Sequence, residues 1–223
     1  VTSTTHKTMR GPRGGMILCK QEFAEYVDKG CPLVLGGPLP HAIAAKAVAL
    51  EEANTDDFRE YASRIVKNAS VLARHCMDQG MNVQTGGTDN HLMLLNVSSL
   101  GLTGRQAESA LREAHITLNR NTIPFDPNGP WYTSGLRMGT PALTTLGMGE
   151  KEMKEIAYII KTVLSNTKPV EITAGKRIGD MSRVKYIISP GVLQDAQFQV
   201  SELVKQFPVY PQLDLEYLQR AFT

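Results

Sequence analysis

The sequence predicts an α/β fold, in which short strands alternate with amphipathic helices. Three observations carry this. Two short runs, VTSTT (Val1–Thr5) and GMILC (Gly15–Cys19), read as strands on either side of a glycine-rich loop. Segments 41–54 and 56–79 read as helices; the first is rich in alanine, and the second carries Phe58, Ile65, Ala69, Leu72 and Ala73 at near-helical spacing. Beyond them, HLMLLNV (His91–Val97) and GLRM (Gly135–Met138) are strand candidates set among further helices.

In chain order, Glu22–Lys29 is expected to be a short helix, and Gly30–Pro40 (GCPLVLGGPLP) a loop because of its prolines and glycines. In the 56–79 helix, Asp56 is expected to cap the start and Gly80 to end it. A domain change is placed near residue 55, giving residues 1–55 and 56–223. In the second part, 82–84 and 116–118 are short strand candidates, and 103–114 a helix with Gln106 and Glu108 in its first turns. Thr122–Ser134 is a proline-rich loop, and 150–164 and 193–207 are helices. The tail VYPQLDLEYLQRAFT is amphipathic through Leu213, Leu215, Tyr217 and Leu218, which suits docking on the body or on a partner. A β-branched strand at Val1 that feeds straight into a functional-looking loop reads as the C-terminal piece of a longer protein, or as one fragment of a cleaved one.

Composition excludes several classes. Of the 223 residues 42% are hydrophobic and 21% charged, which suits a globular core rather than disorder. With 24 basic and 22 acidic residues the net charge is +2, too balanced to argue for nucleic acid; a local basic patch around Arg10 and Arg13 is left open. Cys19, Cys31 and Cys76 are odd in number and lack metal-ligand spacing, so neither a disulfide framework nor a metal site is expected; a reducing, cytoplasmic setting fits. No apolar run approaches the ~20 residues that span a bilayer, so no membrane role is expected.

The residues that could carry chemistry begin with Lys7, in TTHKTMRGPRGG. An amine on a loop at a strand end can act as a Schiff-base nucleophile; the alternative is a solvated surface lysine. Thr4, Thr5 and Thr8 supply hydroxyls around it, His6 a ring, and Arg13 a fork for a carboxylate or phosphate. Gly36 and Gly37 can present bare backbone N–H groups to an anion. Arg137, in TSGLRMGTPA, follows a hydroxyl-rich turn and lies at the end of an apolar strand, so it is either paired internally or free for an anionic ligand. Asn121 either offers its amide to a ligand or holds its loop. GGTDNH (Gly86–His91) reads as a tight turn before a strand rather than a metal site.

Taken together, VTSTTHKTMRGPRGG, LGGPLPHAIAAKAVALEEA, GGTDNHLMLL, RNTIPFDP and TSGLRMGTPA resemble, in order, segments of the serine hydroxymethyltransferases, from residue 1 to roughly 165. The resemblance implies the C-terminal part of a fold-type-I pyridoxal-phosphate enzyme, comprising the end of a large, mostly parallel seven-stranded domain and the small α/β domain. Such enzymes interconvert serine and glycine, with tetrahydrofolate carrying the one-carbon unit. By the same resemblance, Lys7 matches the lysine that bonds the cofactor. Thr4 matches a threonine that assists exchange of lysine for substrate amine, and His6 a histidine in the cofactor site. Gly36 and Gly37 match a pair that reaches the cofactor phosphate of a neighbouring subunit. Arg137 matches the arginine that grips the substrate carboxylate, Arg13 an active-site arginine, and Asn121 a residue near the folate ring. A homodimer or homotetramer is implied. One departure is Leu35, where the family usually carries a glutamine. The family's upstream half, with the aspartate for the pyridine nitrogen, the ring-stacking histidine and the catalytic glutamate, has no counterpart here, so activity is expected only when that half is supplied.

Three other readings remain: another fold-type-I enzyme such as a threonine aldolase, an inactive remnant serving as an oligomerisation or regulatory module, and RNA binding through Arg10 and Arg13. The long GGTDNHL and TSGLRMGTPA stretches count against the aldolase, and Lys7 and Arg137 count against the remnant.

Overall fold

The computed structural model describes residues 1–222. The chain divides into two compact units, Val1–Ser63 and Arg64–Thr223. Its mixed α/β architecture is the one the sequence leads one to expect.

In the first unit, strands β1 (Thr2–Thr4) and β2 (Gly15–Ile17) pair antiparallel, with Thr2 opposite Ile17 and Thr4 opposite Gly15. The lysine loop closes this pair at one end. Helix α1 (Gln21–Leu33) runs one turn further than its glycine and proline content suggests. Val34 N–H donates to Gly30 O at 3.0 Å. The break comes at Cys31, which is extended (φ −111°, ψ 104°) because it precedes Pro32. Helix α2 (Pro40–Ala53) starts on a proline, whose missing N–H is no loss in a first turn. Helix α3 (Asp56–Asp78) is capped by Thr55, not by Asp56: Thr55 Oγ1 accepts the Phe58 N–H at 3.3 Å, while Asp56 pairs with Arg59. Among the described residues of this unit only Thr5 and Ala49 are buried, whereas Leu33, Val34, Leu35 and Leu39 stand exposed.

The second unit holds the core. Strands β3 (Asn82–Val83), β4 (Leu92–Asn96), β5 (Asn119–Asn121) and β6 (Gly135–Gly139) form one antiparallel sheet in the order β3-β4-β6-β5. The period-2 rule sorts its faces. Met93, Leu95, Leu136 and Met138 are buried, and Arg137, between the last two, is exposed. The inward residues pack with Leu72 and Cys76 of α3, Ala107 and Leu111 of α4 (Gly104–Glu113), and Ile160 and Val163 of α6 (Glu150–Ser165). Residues 116–118 approach the sheet without joining it. His115 sits at φ +65° after α4, Ile116 and Leu118 pack partly into the core, and pairing begins at Asn119.

Three elements lie outside the sequence expectations. A short helix, α5 (Pro141–Thr145), follows β6, and strands β7 (Thr167–Glu171) and β8 (Met181–Ile188) form an antiparallel hairpin. Helix α7 (Pro190–Gln206) then covers the core with Ala196 and Leu203, and the tail forms α8 (Leu215–Phe222); the side chain of Leu215 lies outside the described residues. No described helix is long and apolar enough to cross a membrane.

Candidate active site

Thr5 builds the lysine loop. Its N–H donates to Gly14 O (3.0 Å), its Oγ1 to Pro12 O (2.7 Å), and its carbonyl accepts the Gly11 N–H (2.7 Å). The side chain is buried, so these bonds are shielded from water. His6 faces the same return strand, with Nδ1 3.4 Å from Gly14 N and 3.3 Å from Gly14 O. Arg10 takes a left-handed conformation (φ +58°), held by its N–H to Lys7 O at 2.9 Å, and its guanidinium lies 3.8 Å from the Tyr61 ring centroid. Helix α2 braces the loop from below: Lys46 Nζ donates to Gly15 O at 3.0 Å. A Cβ on Gly11 would lie 2.7 Å from Thr5 O and 3.1 Å from the Ala49 Cβ, so the loop closes tightly only because this position is glycine.

On this frame Lys7 is exposed, and among the described residues no hydrogen bond or ion pair takes up its amine. The same holds for the exposed Arg13. Thr4, His6, Lys7 and Arg13 are therefore gathered by one loop. Gly36 and Gly37 lie between α1 and α2, both exposed, with Gly36 at φ +74° and open space around each.

In the second unit, Asn119 opposes Arg137 and Asn121 opposes Gly135, which puts Asn121 and Arg137 on adjacent strands. Arg137 points to solvent rather than into the apolar face, and no described residue pairs with it. Asn121 Nδ2 donates to Thr122 O at 2.7 Å, so in this structure it holds its loop. A Cβ on Gly135 would meet Asn121 O at 2.7 Å, which explains a glycine at the head of β6.

The loop between these strands is organised by Asp126, which sequence reasoning passed over. Its carboxylate accepts from Ile123 N (3.2 Å), Asn128 N (2.9 Å), Ser134 N (2.8 Å) and Ser134 Oγ (2.6 Å). Burial works to raise its pKa, but the bonds from the Ser134 hydroxyl and the three amides together hold the carboxyl below its ordinary 3.8. The Asp-Pro-Asn run was the available signal, since aspartate caps turns of this kind. Nearby, Glu108 on α4 is nearly buried and pairs with Arg120 (2.6 Å). Lys46 offered no comparable signal. GGTDNH forms the expected turn, with Asn90 Oδ1 accepting the Leu92 N–H at 3.0 Å. No three His, Cys, Asp or Glu residues gather as a metal set among the described residues.

Comparison with known proteins fits this picture. A family model described as Serine hydroxymethyltransferase matches residues 1–160. A serine hydroxymethyltransferase of Treponema pallidum is 57% identical over 223 residues, covering 100% of this chain and 38% of that protein. One of Salinispora tropica is 56% identical over 215 residues, covering 96% of this chain and 44% of that protein. One of Chlamydia trachomatis is 51% identical over 218 residues, 98% of this chain and 43% of that protein. This chain thus spans about two fifths of the length of the curated relatives it matches. A family match over residues 1–160, with relatives at this identity along almost all of the chain, makes it a member of the serine hydroxymethyltransferase family.

Proposed function

We propose that the chain supplies the cofactor-lysine and substrate-carboxylate parts of a serine hydroxymethyltransferase, which transfers the hydroxymethyl carbon of serine to tetrahydrofolate and leaves glycine. The observation that carries this is a pair of unsatisfied cationic groups. Lys7 sits exposed on a loop fixed by Thr5, and Arg137 sits exposed beside Asn121, and neither has a partner among the described residues.

The residues present fit pyridoxal phosphate: an available amine, a ring next to it, an arginine on the same loop and two open glycines. Once bound, that cofactor supplies an electron sink for bonds at the substrate α-carbon. Lys7 Nζ would hold it covalently, and the Thr4 hydroxyl would move a proton as the substrate amine takes the place of Lys7. His6, steadied by Gly14, would pack in the cofactor site, and Arg13 would take an anionic group. The Gly36 and Gly37 amides would reach the phosphate of a neighbouring subunit in a homodimer or homotetramer. Arg137 would grip the amino-acid carboxylate bidentately, which fixes the bond to be broken. Asn121 would stand near the folate ring.

In this reading residues 1–55 complete a large cofactor domain and residues 56–223 form the small domain. An upstream half of the same protein supplies the remaining site residues, and the work is done in the cytoplasm. The test is a visible absorption spectrum after addition of pyridoxal phosphate, beside Lys7→Ala. A band distinct from free cofactor that requires Lys7 and shifts with glycine supports the reading. Free cofactor alone overturns activity of this chain and leaves the module reading in its place.

A further inference from the structure

We propose that Arg183, on β8, is a positioning residue that clamps the 122–134 loop and thereby sets the strand carrying Arg137. This rests on the reading of Arg137 as the carboxylate anchor. Arg183 lies beyond the residues 1–160 that carry the family match.

The backbone of Arg183 is fixed first. Its carbonyl accepts from Thr103 Oγ1 at 2.9 Å, and Gln106 Nε2 donates to Ser182 O (2.7 Å) and Lys185 O (2.9 Å) on either side of it. Gln106 is only 1% exposed, so the hairpin is held by a shielded side chain at the head of α4. With its backbone pinned, the Arg183 side chain reaches the loop in two ways. Its Nη2 donates to Asn128 Oδ1, and its guanidinium lies 4.4 Å from the Tyr132 ring centroid. A planar guanidinium can stack and donate at once, which an ammonium cannot do as well.

From Asn128 the contacts continue without a gap. Asn128 Nδ2 donates to Ser134 Oγ at 2.9 Å, and Ser134 is fully buried against Asp126. The Ser134 carbonyl accepts the Val97 N–H at 2.9 Å, which ties it to the end of β4. The next residue, Gly135, opens β6 and opposes Asn121. Arg137 follows two positions later. Arg183 therefore braces a loop whose two ends are Asn121 and the Arg137 strand.

A simple hairpin staple would affect stability alone. A positioning residue affects amino-acid binding as well. The variants are Arg183→Met and Arg183→Lys, made in the chain with whatever upstream sequence its gene encodes, and loaded with pyridoxal phosphate. Arg183→Met is expected to weaken glycine binding and raise the serine KM by about fivefold to tenfold, with kcat within about twofold. Amide exchange at Asn128 and Ser134 should quicken, a readout that does not depend on activity. Arg183→Lys should recover part of the affinity. Arg177→Ala, at the hairpin tip where Arg177 pairs with Asp180, should change none of these. Should Arg183→Met fail to fold, Asn128→Ala breaks the same clamp from the loop side and is read in the same way. A lowered Tm with unchanged glycine affinity and unchanged exchange at Ser134 overturns the proposal alone. A wild type that binds no glycine overturns the reading of the site, and the proposal with it.

Discussion

Gln106→Ala tests how the hairpin is attached. The Gln106 side chain makes three firm hydrogen bonds: Nε2 to Ser182 O (2.7 Å), Nε2 to Lys185 O (2.9 Å), and Thr103 N to Oε1 (2.9 Å). The Thr103 hydroxyl has one proton, for which Oε1 (3.1 Å) and Arg183 O (2.9 Å) compete, and the closer carbonyl takes it. At about 1 kcal/mol net for each firm bond, the loss comes to about 3 kcal/mol. The better helix propensity of alanine returns a few tenths of a kcal/mol. Water reaches Ser182 and Lys185 more easily than the buried Thr103, which keeps the orphaned carbonyls from adding much more. Gln106→Glu separates the two roles. It keeps the acceptor of the capping box but sets a carboxylate against two carbonyls, so the helix start survives and the hairpin loosens. The assay is urea unfolding followed by circular dichroism, with hydrogen exchange read at the β8 amides. Gln106→Ala within about 1 kcal/mol of wild type, with β8 protection unchanged, would refute the reasoning.

Other expectations follow from single contacts. Gly11→Ala forces a Cβ to within 2.7 Å of a backbone carbonyl that cannot retreat, and should cost about 1–3 kcal/mol, seen as faster exchange at the Gly11 and Gly14 amides. Gly14→Ala meets instead the end of the long Lys46 side chain, 2.8 Å away at Cε, which can swing aside at the expense of its exposed bond to Gly15 O, and should cost less. Asp126 has a folded pKa below 3.8, so its stabilising effect is present at neutral pH and is lost as pH falls below about 4 through the folded value. Trp131 fluorescence should report this loosening on acidification, and Asp126→Asn should flatten the profile. Burial pushes the Cys76 thiol up to about 12, so a thiol reagent at pH near 8 should label exposed Cys19 quickly and Cys76 only on unfolding. Labelling of native Cys76 at the rate of Cys19 would contradict that burial.

The elements legible in the sequence were those whose pattern is written by the core. Helix α3 and strands β4 and β6 bury one face and expose the other, and their periods give them away. The β7–β8 hairpin was missed because its apolar residues lie on both faces: Tyr186 and Ile188 pack against the core, while Met181 and Ile187 are each 60% exposed. Part of the attachment is made by main-chain carbonyls that no side-chain pattern reports. Lys7, His6 and Arg13 could be grouped from the sequence because one loop holds them within a short stretch. Asp126 was passed over although its partners are local, Ile123, Asn128 and Ser134, while the Arg183 side chain acts through Asn128, 55 positions away, a distance that local spacing does not encode.

The thin interior of the first unit bears on how firmly the lysine loop is held. Ordering backbone costs about 1–2 kcal/mol per residue. Within Val1–Ser63, Thr5 and Ala49 alone are buried among the described residues, while Leu33, Val34, Leu35 and Leu39 face outward. So little burial offsets little of that cost, and the shape of the loop rests mainly on its own hydrogen bonds through Thr5. The second unit has its own core, so amides of the lysine loop are expected to exchange much faster than those of β4 and β6.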